Sequence, residues 1–483
     1  MICIMTNHNF VNEVQTVTQL FFPGDSFQFI HETPDKYPAG HIVKTEMTTE
    51  TAIAHVIQDG NVAAKYTLPL EALPIHLSPR RMLMLALYHA LQQAVGAYTP
   101  WGALTGIRPS KMVREWLDEG WNDQKIVETM QNPFCCTMEK ANLALDVAKA
   151  ERELTAQIYE KATNPIGIYV SVPFCPTRCV YCSFNVNHNF ASKDIYTQYI
   201  TALVQECKTQ AQRLQQLGGT VSSIYIGGGT PTVLPENLLE QLLYAISSNF
   251  ETGVEYSVEA GRPDTLTKPK LAILQRYGVN RIAVNPQTLN DKTLSTIERK
   301  HTAADFFNAF SIAREAGFPC INTDVIVGLP GETIDDVRHT MEGIAALSPE
   351  NITVHTLAVK RASYLRASYL TETKAEYILQ NAKTSSKFIG EMLAIANATC
   401  ANSGLSPYYL YRQKNMVGMF ENIGYSKPGN ECLYNVGMMA ETQSILGIGA
   451  GAVSKFVENG KITREFNVKN PEIYVQRNRR DDT

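Results

Sequence analysis

Residues 172–184 read VPFCPTRCVYCSF and bring Cys175, Cys179 and Cys182 together in one short loop. This C-x3-C-x2-C spacing gathers three thiols and supplies no fourth. A closed structural zinc site takes four protein ligands, so the shortage indicates a metal centre that keeps one position for a small molecule. Three unrelated buried thiols are the alternative, because free cysteine often belongs to a hydrophobic core. We predict that these three cysteines bind a metal centre.

An open [4Fe-4S] cluster fits this ligand set best, because three cysteines leave one iron free. S-adenosylmethionine can chelate that iron through its amino and carboxylate groups, and one electron then splits the sulfonium to give a 5′-deoxyadenosyl radical. The cysteine spacing, Tyr181 before the third cysteine and the preceding IYVSVPFC at 168–175 resemble the radical SAM superfamily. This resemblance implies a [4Fe-4S] cluster and S-adenosylmethionine as cofactors.

The composition indicates a globular protein of several domains. The chain has 483 residues, of which 44% are hydrophobic and 19% charged, and its length suggests roughly two to four domains. Its 43 basic and 47 acidic side chains nearly balance, which gives no electrostatic case for a nucleic-acid or membrane surface. We therefore expect neither nucleic acid nor membrane as a partner.

The first residues and the cysteine usage indicate a cytoplasmic protein. The start MICIMTNH lacks the basic and apolar stretches of a signal peptide, and no segment approaches the ~20 apolar residues that span a bilayer. Ten cysteines in so long a chain do not form a disulfide framework. A reducing compartment also suits a thiolate-bound cluster.

Residues 1–162 predict an α+β N-terminal domain. Short alternating runs up to about residue 75 indicate strands, among them residues 15–22, which read QTVTQLFF. Apolar residues then recur at the spacing of a helix, and helices are predicted over 81–98, 109–119 and 137–161.

Residues 163–376 repeat an apolar strand, a loop and an amphipathic helix. Such alternation predicts parallel strands joined by crossovers, and six units predict an α/β fold with a (β/α)6 partial TIM barrel. In such barrels the chemistry gathers at the carboxyl ends of the strands. A mainly helical C-terminal domain is predicted for residues 377–483. The candidate strands are 167–172, 223–226, 255–259, 281–285, 320–326 and 351–357.

A glycine run, GGGTP at 227–231, follows the second candidate strand. Consecutive glycines let backbone N–H groups approach a ligand without a side chain in the way. A tight turn explains such a run nearly as well. About fifty residues after a three-cysteine loop, the run resembles the superfamily's methionine-binding loop, which implies cofactor contacts at Gly228, Gly229 and Thr230.

Polar side chains follow three later strands. Glu259, Gln287 and Asp324 stand at strand ends, and their oxygens and amide suit ribose hydroxyls. Arg299 can meet a carboxylate through two parallel hydrogen bonds. A lone charged residue is usually a solvated surface group, but the shared strand-end placement favours a site.

The order of these segments resembles a narrower group, the oxygen-independent coproporphyrinogen III dehydrogenases and their relatives, over residues 165–456. TGIRPSK at 105–111 and KRAS at 360–363 are similar to the HemZ-type branch. The resemblance implies two sets of cofactor contacts. The cluster-bound S-adenosylmethionine would meet Tyr169, Gly228, Glu259 and Ala358, and a second molecule would meet Tyr181, Gly229, Thr230, Gln287, Arg299 and Asp324.

Two positions depart from these relatives. The decarboxylating dehydrogenases carry a further cysteine two places after the third ligand, where this chain has Phe184, as haem-chaperone relatives do. Those chaperones bear a His-Asn-x-x-Tyr haem motif, where this chain reads YNVGM at 434–438. The expected histidine is therefore replaced by Tyr434.

The resemblance implies an oxidoreductase of haem biosynthesis. Its radical would remove a hydrogen from a propionate of coproporphyrinogen III, and loss of carbon dioxide and one electron would leave a vinyl group of protoporphyrinogen IX. An electron donor such as flavodoxin or ferredoxin is implied. One alternative is a haem-binding or haem-transfer chaperone that retains the cluster. Another is a radical SAM enzyme that acts on haem or another tetrapyrrole.

A tetrapyrrole needs cations for its propionates and aromatic walls for its rings. The candidate cations are Lys360, Arg361 and Arg366, and the candidate wall is the stretch YYLYR at 408–412. His301 and His355 are candidates for acid–base steps, although a structural histidine is the commoner case. The sequence assigns no catalytic side chain and does not indicate an oligomeric state.

Overall fold

A computed structural model describes residues 2–23, 25–30, 40–69, 77–97, 99–106, 108–183, 194–359, 363, 385–413, 416–458 and 460–480. The chain divides into two compact units, one made chiefly of residues up to Leu145 and one chiefly of residues from Asp146 onward. Within the described part, no helix is both long enough and apolar enough to span a bilayer.

The first unit contains a five-stranded mixed sheet in the order β2-β1-β3-β4-β5. Strand β1 pairs in parallel with β2 and β3, whereas β3, β4 and β5 pair antiparallel. The strands are β1 Ile2–Thr6, β2 Phe27–Ile30, β3 His41–Met47, β4 Thr51–Gln58 and β5 Asn61–Pro69. The helices up to the second unit are α1 Val11–Phe21, α2 Pro79–Val95, α3 Pro109–Asp118, α4 Asp123–Gln131 and α5 Met138–Lys161.

Residues 15–22 are not a strand, so that prediction was wrong. They belong largely to helix α1, whose buried side chains include Val14, Val17, Thr18 and Phe21. This three- and four-residue spacing buries one helical face, and it prevails over the alternation of polar and apolar residues that resembled a strand. The helices predicted over 81–98, 109–119 and 137–161 are confirmed as α2, α3 and α5.

The second unit is built on an eleven-stranded sheet, and the (β/α)6 prediction is confirmed in its centre. Six parallel strands lie side by side in chain order, and helices lie between them in sequence. The strands are β6 Pro165–Val172, β7 Thr220–Gly228, β8 Glu255–Val258, β9 Arg281–Ala283, β10 Cys320–Val327 and β11 Asn351–Thr356. The helices are α6 Asp194–Gln216, α7 Glu236–Asn249, α8 Lys268–Arg276, α9 Asp291–Thr296, α10 Ala303–Glu315 and α11 Ile334–Ala346.

The C-terminal region is not mainly helical, in contrast to the prediction. Five of its segments are strands that extend the central sheet on both sides, in the order β12-β13-β11 and β6-β14-β15-β16. They pair the backbone groups of β6 and β11, which would otherwise be edge strands. These strands are β12 Ser406–Tyr411, β13 Asn422–Ser426, β14 Ser444–Ile448, β15 Val453–Glu458 and β16 Lys461–Phe466; the helices are α12 Ser385–Asn402, α13 Leu433–Met439 and α14 Pro471–Arg480.

Candidate active site

A cavity of about 380 Å³ lies at the carboxyl ends of the parallel strands, where the fold predicts a site. Ligand pockets typically measure about 300–1,000 Å³. Tyr169 lies outside the lining, behind Gly228, and Phe184, Lys360, Arg361 and Arg366 lie outside the described residues. The other residues predicted to bind the metal centre or S-adenosylmethionine all line this one cavity: Cys175, Cys179, Cys182, Tyr181, Gly228, Gly229, Thr230, Glu259, Gln287, Arg299, Asp324 and Ala358.

The three cysteines follow β6 in a loop that is tied to the neighbouring elements. The Thr230 amide donates to the Phe174 carbonyl oxygen at 2.7 Å, and the Cys182 amide donates to the Cys179 carbonyl oxygen at 3.0 Å. Burial raises the pKa of the Cys175 thiol to about 11, so a bound cation is needed to hold it as a thiolate.

The cysteine loop is compatible with a cubane. Among the described residues, no three His, Cys, Asp or Glu side chains converge on a point that would hold one metal ion. In a cubane each cysteine binds a different iron, so its ligands do not need to converge in that way. Cys175, Cys179 and Cys182 would hold such a cluster, and the cavity beside them would take the molecule that completes it.

The Arg299 guanidinium is used for hydrogen bonds within the protein rather than for binding the carboxylate of a ligand. Its Nη2 donates to the carbonyl oxygens of Gly261 and Asn285 at 2.5 and 2.6 Å, and its Nη1 lies 3.2 Å from the Tyr181 hydroxyl. The same Nη1 lies 3.8 Å from Cys179 Sγ. A buried guanidinium therefore sits beside the cysteine loop, where its charge favours thiolates.

The glycine run brings strand β7 against the cysteine loop. A Cβ at Gly229 would lie 2.5 Å from the Phe174 carbonyl oxygen and 2.7 Å from its nitrogen. Gly228 has a φ of +95°, which L side chains rarely adopt. Close backbone packing alone thus accounts for Gly229, while Gly228 and Thr230 also line the cavity.

Gln287 combines backbone strain with an unsatisfied polar atom. Its φ is +69°, its exposed fraction is 7%, and its Oε1 has no hydrogen-bond partner among the described residues. Its amide donates to the Asp324 carbonyl oxygen, and its own carbonyl accepts from the Ile326 amide, both at 3.0 Å. A buried amide oxygen that lines a cavity is a natural acceptor for a ligand hydroxyl, which fits the ribose expected here.

Glu259 is a carboxyl group held at the cavity wall by Tyr225, whose hydroxyl donates to Oε1 at 2.6 Å. Burial raises the pKa of Glu259 to about 7 and the Asp324 charge adds to the rise, although the Tyr225 hydrogen bond opposes it. The carboxyl is therefore partly protonated near neutral pH.

The raised pKa of Glu259 predicts a pH-dependent contribution to stability. Between its ordinary pKa of 4.5 and about 7 the folded protein binds the proton more tightly than the unfolded chain, so this contribution is present at low pH and is lost as the pH rises to 7. We expect the free energy of unfolding of wild type, relative to Glu259→Gln, to fall by roughly 2 kcal/mol from pH 5 to pH 8. Urea unfolding of both proteins measures this, and a flat difference would contradict it.

Aromatic side chains form part of the wall. Tyr409 and Tyr411 line the cavity with stacked rings 6.4 Å apart, whereas Tyr408 faces a second, smaller cavity. Tyr434 is buried against Tyr225, with ring centroids 4.6 Å apart. Position 434 is therefore occupied by a packed phenol.

Several cavity residues were missed in the sequence: Tyr225, Asn285, Asn322, Arg262 and Asn435. Alternation along a strand could have identified some of them, because every second residue of β10 from Asn322 to Ile326 lines the cavity. His301 is buried outside the lining residues, and desolvation lowers its pKa to about 3, so it stays neutral.

Two buried charges hold helix α13, which carries Tyr434 and Asn435. The Glu255 carboxylate accepts from the amides of Leu433 and Tyr434 at 2.7 and 3.0 Å. At the other end the Lys455 ammonium donates to the Gly437 carbonyl oxygen at 3.0 Å. A carboxylate at the N-terminus and a cation at the C-terminus both match the helix dipole. A short helix is thereby fixed beside the cavity.

Glu255→Ala is expected to lower the free energy of unfolding by about 2–4 kcal/mol, because two helix amides lose their acceptor and the buried Arg281 guanidinium, 3.8 Å away, loses a nearby opposite charge. Glu315→Ala is the matched control. It removes an ion pair with Lys268 whose side chains are 59% and 72% exposed, and such pairs contribute less than about 1 kcal/mol. Urea unfolding compares the two, and equal losses would contradict the prediction.

Comparison with known proteins places this geometry in a family. The Radical SAM superfamily model matches residues 169–344. The chain is 36% identical over 392 residues to the oxygen-independent coproporphyrinogen-III oxidase-like protein HemZ of Bacillus subtilis, covering 80% of this chain and 76% of that protein. It is 37% identical over 195 residues to heme chaperone HemW of B. subtilis, covering 40% of this chain and 50% of that protein.

A solved structure agrees with the fold. Coproporphyrinogen III oxidase (HemN) from Escherichia coli, described as a radical SAM enzyme, superposes with a TM-score of 0.51 at 25% identity, covering 68% of this chain and 71% of that one. Members of the superfamily use a [4Fe-4S] cluster and S-adenosylmethionine. The chain therefore belongs to the radical SAM superfamily, among the oxygen-independent coproporphyrinogen-III oxidase-like proteins of the HemZ type.

Proposed function

We propose that this protein decarboxylates coproporphyrinogen III oxidatively, without oxygen, and converts two propionates into the vinyl groups of protoporphyrinogen IX. The observation that carries the proposal is one cavity that joins the three-cysteine loop to the aromatic side chains Tyr409 and Tyr411. Ring faces pack on aromatic side chains, and the cysteine loop is where the radical chemistry begins. The names of the HemZ and HemN relatives support the same substrate class.

The residues that line the cavity have different roles, which follow from their positions. When bound, the cluster and S-adenosylmethionine supply the 5′-deoxyadenosyl radical that removes a hydrogen atom from a propionate. The three cysteines hold the cluster, and Arg299 stabilises their negative charge. Glu259 and Gln287 offer acceptors to ribose hydroxyls, and Asp324 and Tyr181 line the region assigned to a second cofactor molecule. The electron donor would be a small redox protein such as flavodoxin or ferredoxin.

A second candidate is a haem-binding or haem-transfer protein. Relatives named heme chaperone HemW support it, as does Phe184. Tyr434 speaks against it, because the position of the motif histidine holds a phenol ring that stacks on Tyr225 and Tyr169 and is not presented as an imidazole ligand. A radical SAM reaction on haem or another tetrapyrrole is the third candidate.

One anaerobic experiment separates these functions. The reconstituted protein is mixed with dithionite, S-adenosylmethionine and either coproporphyrinogen III or haem, and 5′-deoxyadenosine, carbon dioxide and the tetrapyrrole product are quantified. We expect deoxyadenosine and carbon dioxide to appear together with coproporphyrinogen III. Deoxyadenosine and a modified haem in the haem reaction would favour the third candidate. A stable haem complex without deoxyadenosine would favour the chaperone and overturn the proposal.

A further inference from the structure

We infer that His355, which lies beside Asp324, binds a propionate carboxylate of the tetrapyrrole substrate; this inference rests on the proposed function. The supporting observations are the direction of the strand that carries His355, the network that fixes Asp324, and the commitments of the other cations around the cavity.

Strand β11 presents His355 to the cavity. Thr353 and His355 stand at alternate positions of the strand and both line the cavity, as do Thr356, Leu357 and Ala358 at and after its end. The His355 side chain is 27% exposed, so its ring is accessible from the cavity rather than sealed in the core. The residues that line the rest of the cavity come from other strands, and the imidazole forms the cavity wall together with them.

Two side-chain amides hold Asp324 in place beside His355. Asn285 Nδ2 donates to its Oδ2 and Asn322 Nδ2 donates to its Oδ1, both at 2.8 Å. The His355 Nε2 atom lies 3.7 Å from the same Oδ2. Burial raises the pKa of Asp324, but the neighbouring His355 and the hydrogen bonds from Asn322 and Thr353 outweigh this effect and lower the pKa. An aspartate beside an imidazole orients the ring.

The arginines around the cavity are already engaged. Arg262 pairs with Asp264 through hydrogen bonds of 2.9 and 3.0 Å and also reaches Thr177 at 2.9 Å. Arg299 donates through Nη2 to backbone carbonyl oxygens, although its buried Nε has no partner among the described residues, and Arg178 also has an interaction within the protein. His355 differs from these arginines because its side chain is 27% exposed and only its Nε2 faces Asp324, which leaves the other ring nitrogen for a ligand.

The cavity carries charged groups of both signs. Glu259 and Asp324 line it together with Arg178, Arg262 and Arg299, so a propionate that approaches Asp324 requires a hydrogen-bond donor between the two carboxylates. A His355 ring N–H between Asp324 and the ligand would donate a hydrogen bond to the propionate, and a hydrogen bond to a charged group contributes about 1.5–3 kcal/mol. S-adenosylmethionine also carries a carboxylate, so the test must distinguish the two sources.

The test is equilibrium dialysis of the full-length, cluster-loaded protein under anaerobic conditions. The probes are coproporphyrin III, its tetramethyl ester in the same dilute detergent, and S-adenosylmethionine. The variants are His355→Phe, which keeps an aromatic ring without a ring nitrogen, and His355→Gln, which replaces the ring by a smaller polar group and carries the test should the phenylalanine variant not fold. His339→Gln, on the exposed face of α11, is the matched control.

We expect His355→Phe to weaken coproporphyrin III binding about tenfold or more, as the loss of a charged hydrogen bond predicts, and ester binding less than twofold. S-adenosylmethionine binding should be unchanged, and His339→Gln should match wild type with every probe. Equal losses for the acid and the ester, no loss for either, or a loss confined to S-adenosylmethionine would each overturn the inference. Wild-type protein that binds no porphyrin would overturn the proposed function and this inference with it.

Discussion

Alanine at Cys175, Cys179 and Cys182 together is expected to abolish iron–sulfur binding and to reduce 5′-deoxyadenosine formation by more than about 10³-fold. Each thiol lines the cavity, and the loop supplies no fourth cysteine that could replace one of them. Iron and sulfide content measures the first effect, and chromatography of the anaerobic reaction mixture measures the second. Because the loop is held by backbone hydrogen bonds, the fold should survive the change.

The matched control for this prediction is Cys135→Ala. Cys135 is also a half-buried free thiol, but it lies in the first unit, 3.9 Å from the His89 ring nitrogens, and does not line the cavity. Its loss should leave iron content and deoxyadenosine formation at wild-type levels. Retained nucleoside cleavage in the triple variant would remove the basis of the proposed radical mechanism.

Among substitutions that add one methyl group within the site, Gly229→Ala is expected to be the most damaging. Its Cβ would lie 2.5–2.8 Å from three backbone atoms of Phe174 and Val172, and backbone cannot rotate aside as a side chain can. We expect a loss of about 2–4 kcal/mol in the free energy of unfolding, together with at least tenfold weaker S-adenosylmethionine binding, because the cysteine loop must shift. Urea unfolding and equilibrium dialysis measure the two effects.

Gly253→Ala is the control for this substitution. No heavy atom lies within 4 Å of a Cβ at Gly253, in the turn before β8, so the same methyl group should change stability by less than about 0.5 kcal/mol. A Gly229→Ala protein that is as stable as Gly253→Ala, and that binds S-adenosylmethionine normally, would show that the contact with Phe174 does not constrain the loop.

The central fold was predictable because its signals are local. Parallel strands covered on both faces read as short apolar runs, and all six candidate runs correspond to strands β6–β11. The cysteine spacing is likewise local, and its loop lies where a barrel positions its chemistry. The prediction for residues 15–22 was wrong because a short run with partial alternation is compatible with both the strand period and the helix period. Only the burial of Val14, Val17 and Phe21 on one face identifies the segment as a helix.

The remaining features depend on long-range contacts that a pattern does not contain. Arg299 was predicted at the site, but its partners are carbonyl oxygens of Gly261 and Asn285, which only the folded chain brings near. The C-terminal strands were missed because their pairing depends on β6 and β11, far away in sequence. The hydrogen bond from Asn285 to Asp324 requires β9 to lie beside β10.

The pairing of β14 with β6, and of β13 with β11, has a consequence for biosynthesis. The thiols emerge from the ribosome early, but the strands that close both flanks of their sheet, and the rings of Tyr409 and Tyr411, belong to the last fifth of the chain. A chain that does not yet include these strands leaves both flanks of that sheet open, and its thiols lack part of their enclosure. An inorganic centre received at that stage would be held by the three cysteines without the wall that the later strands complete.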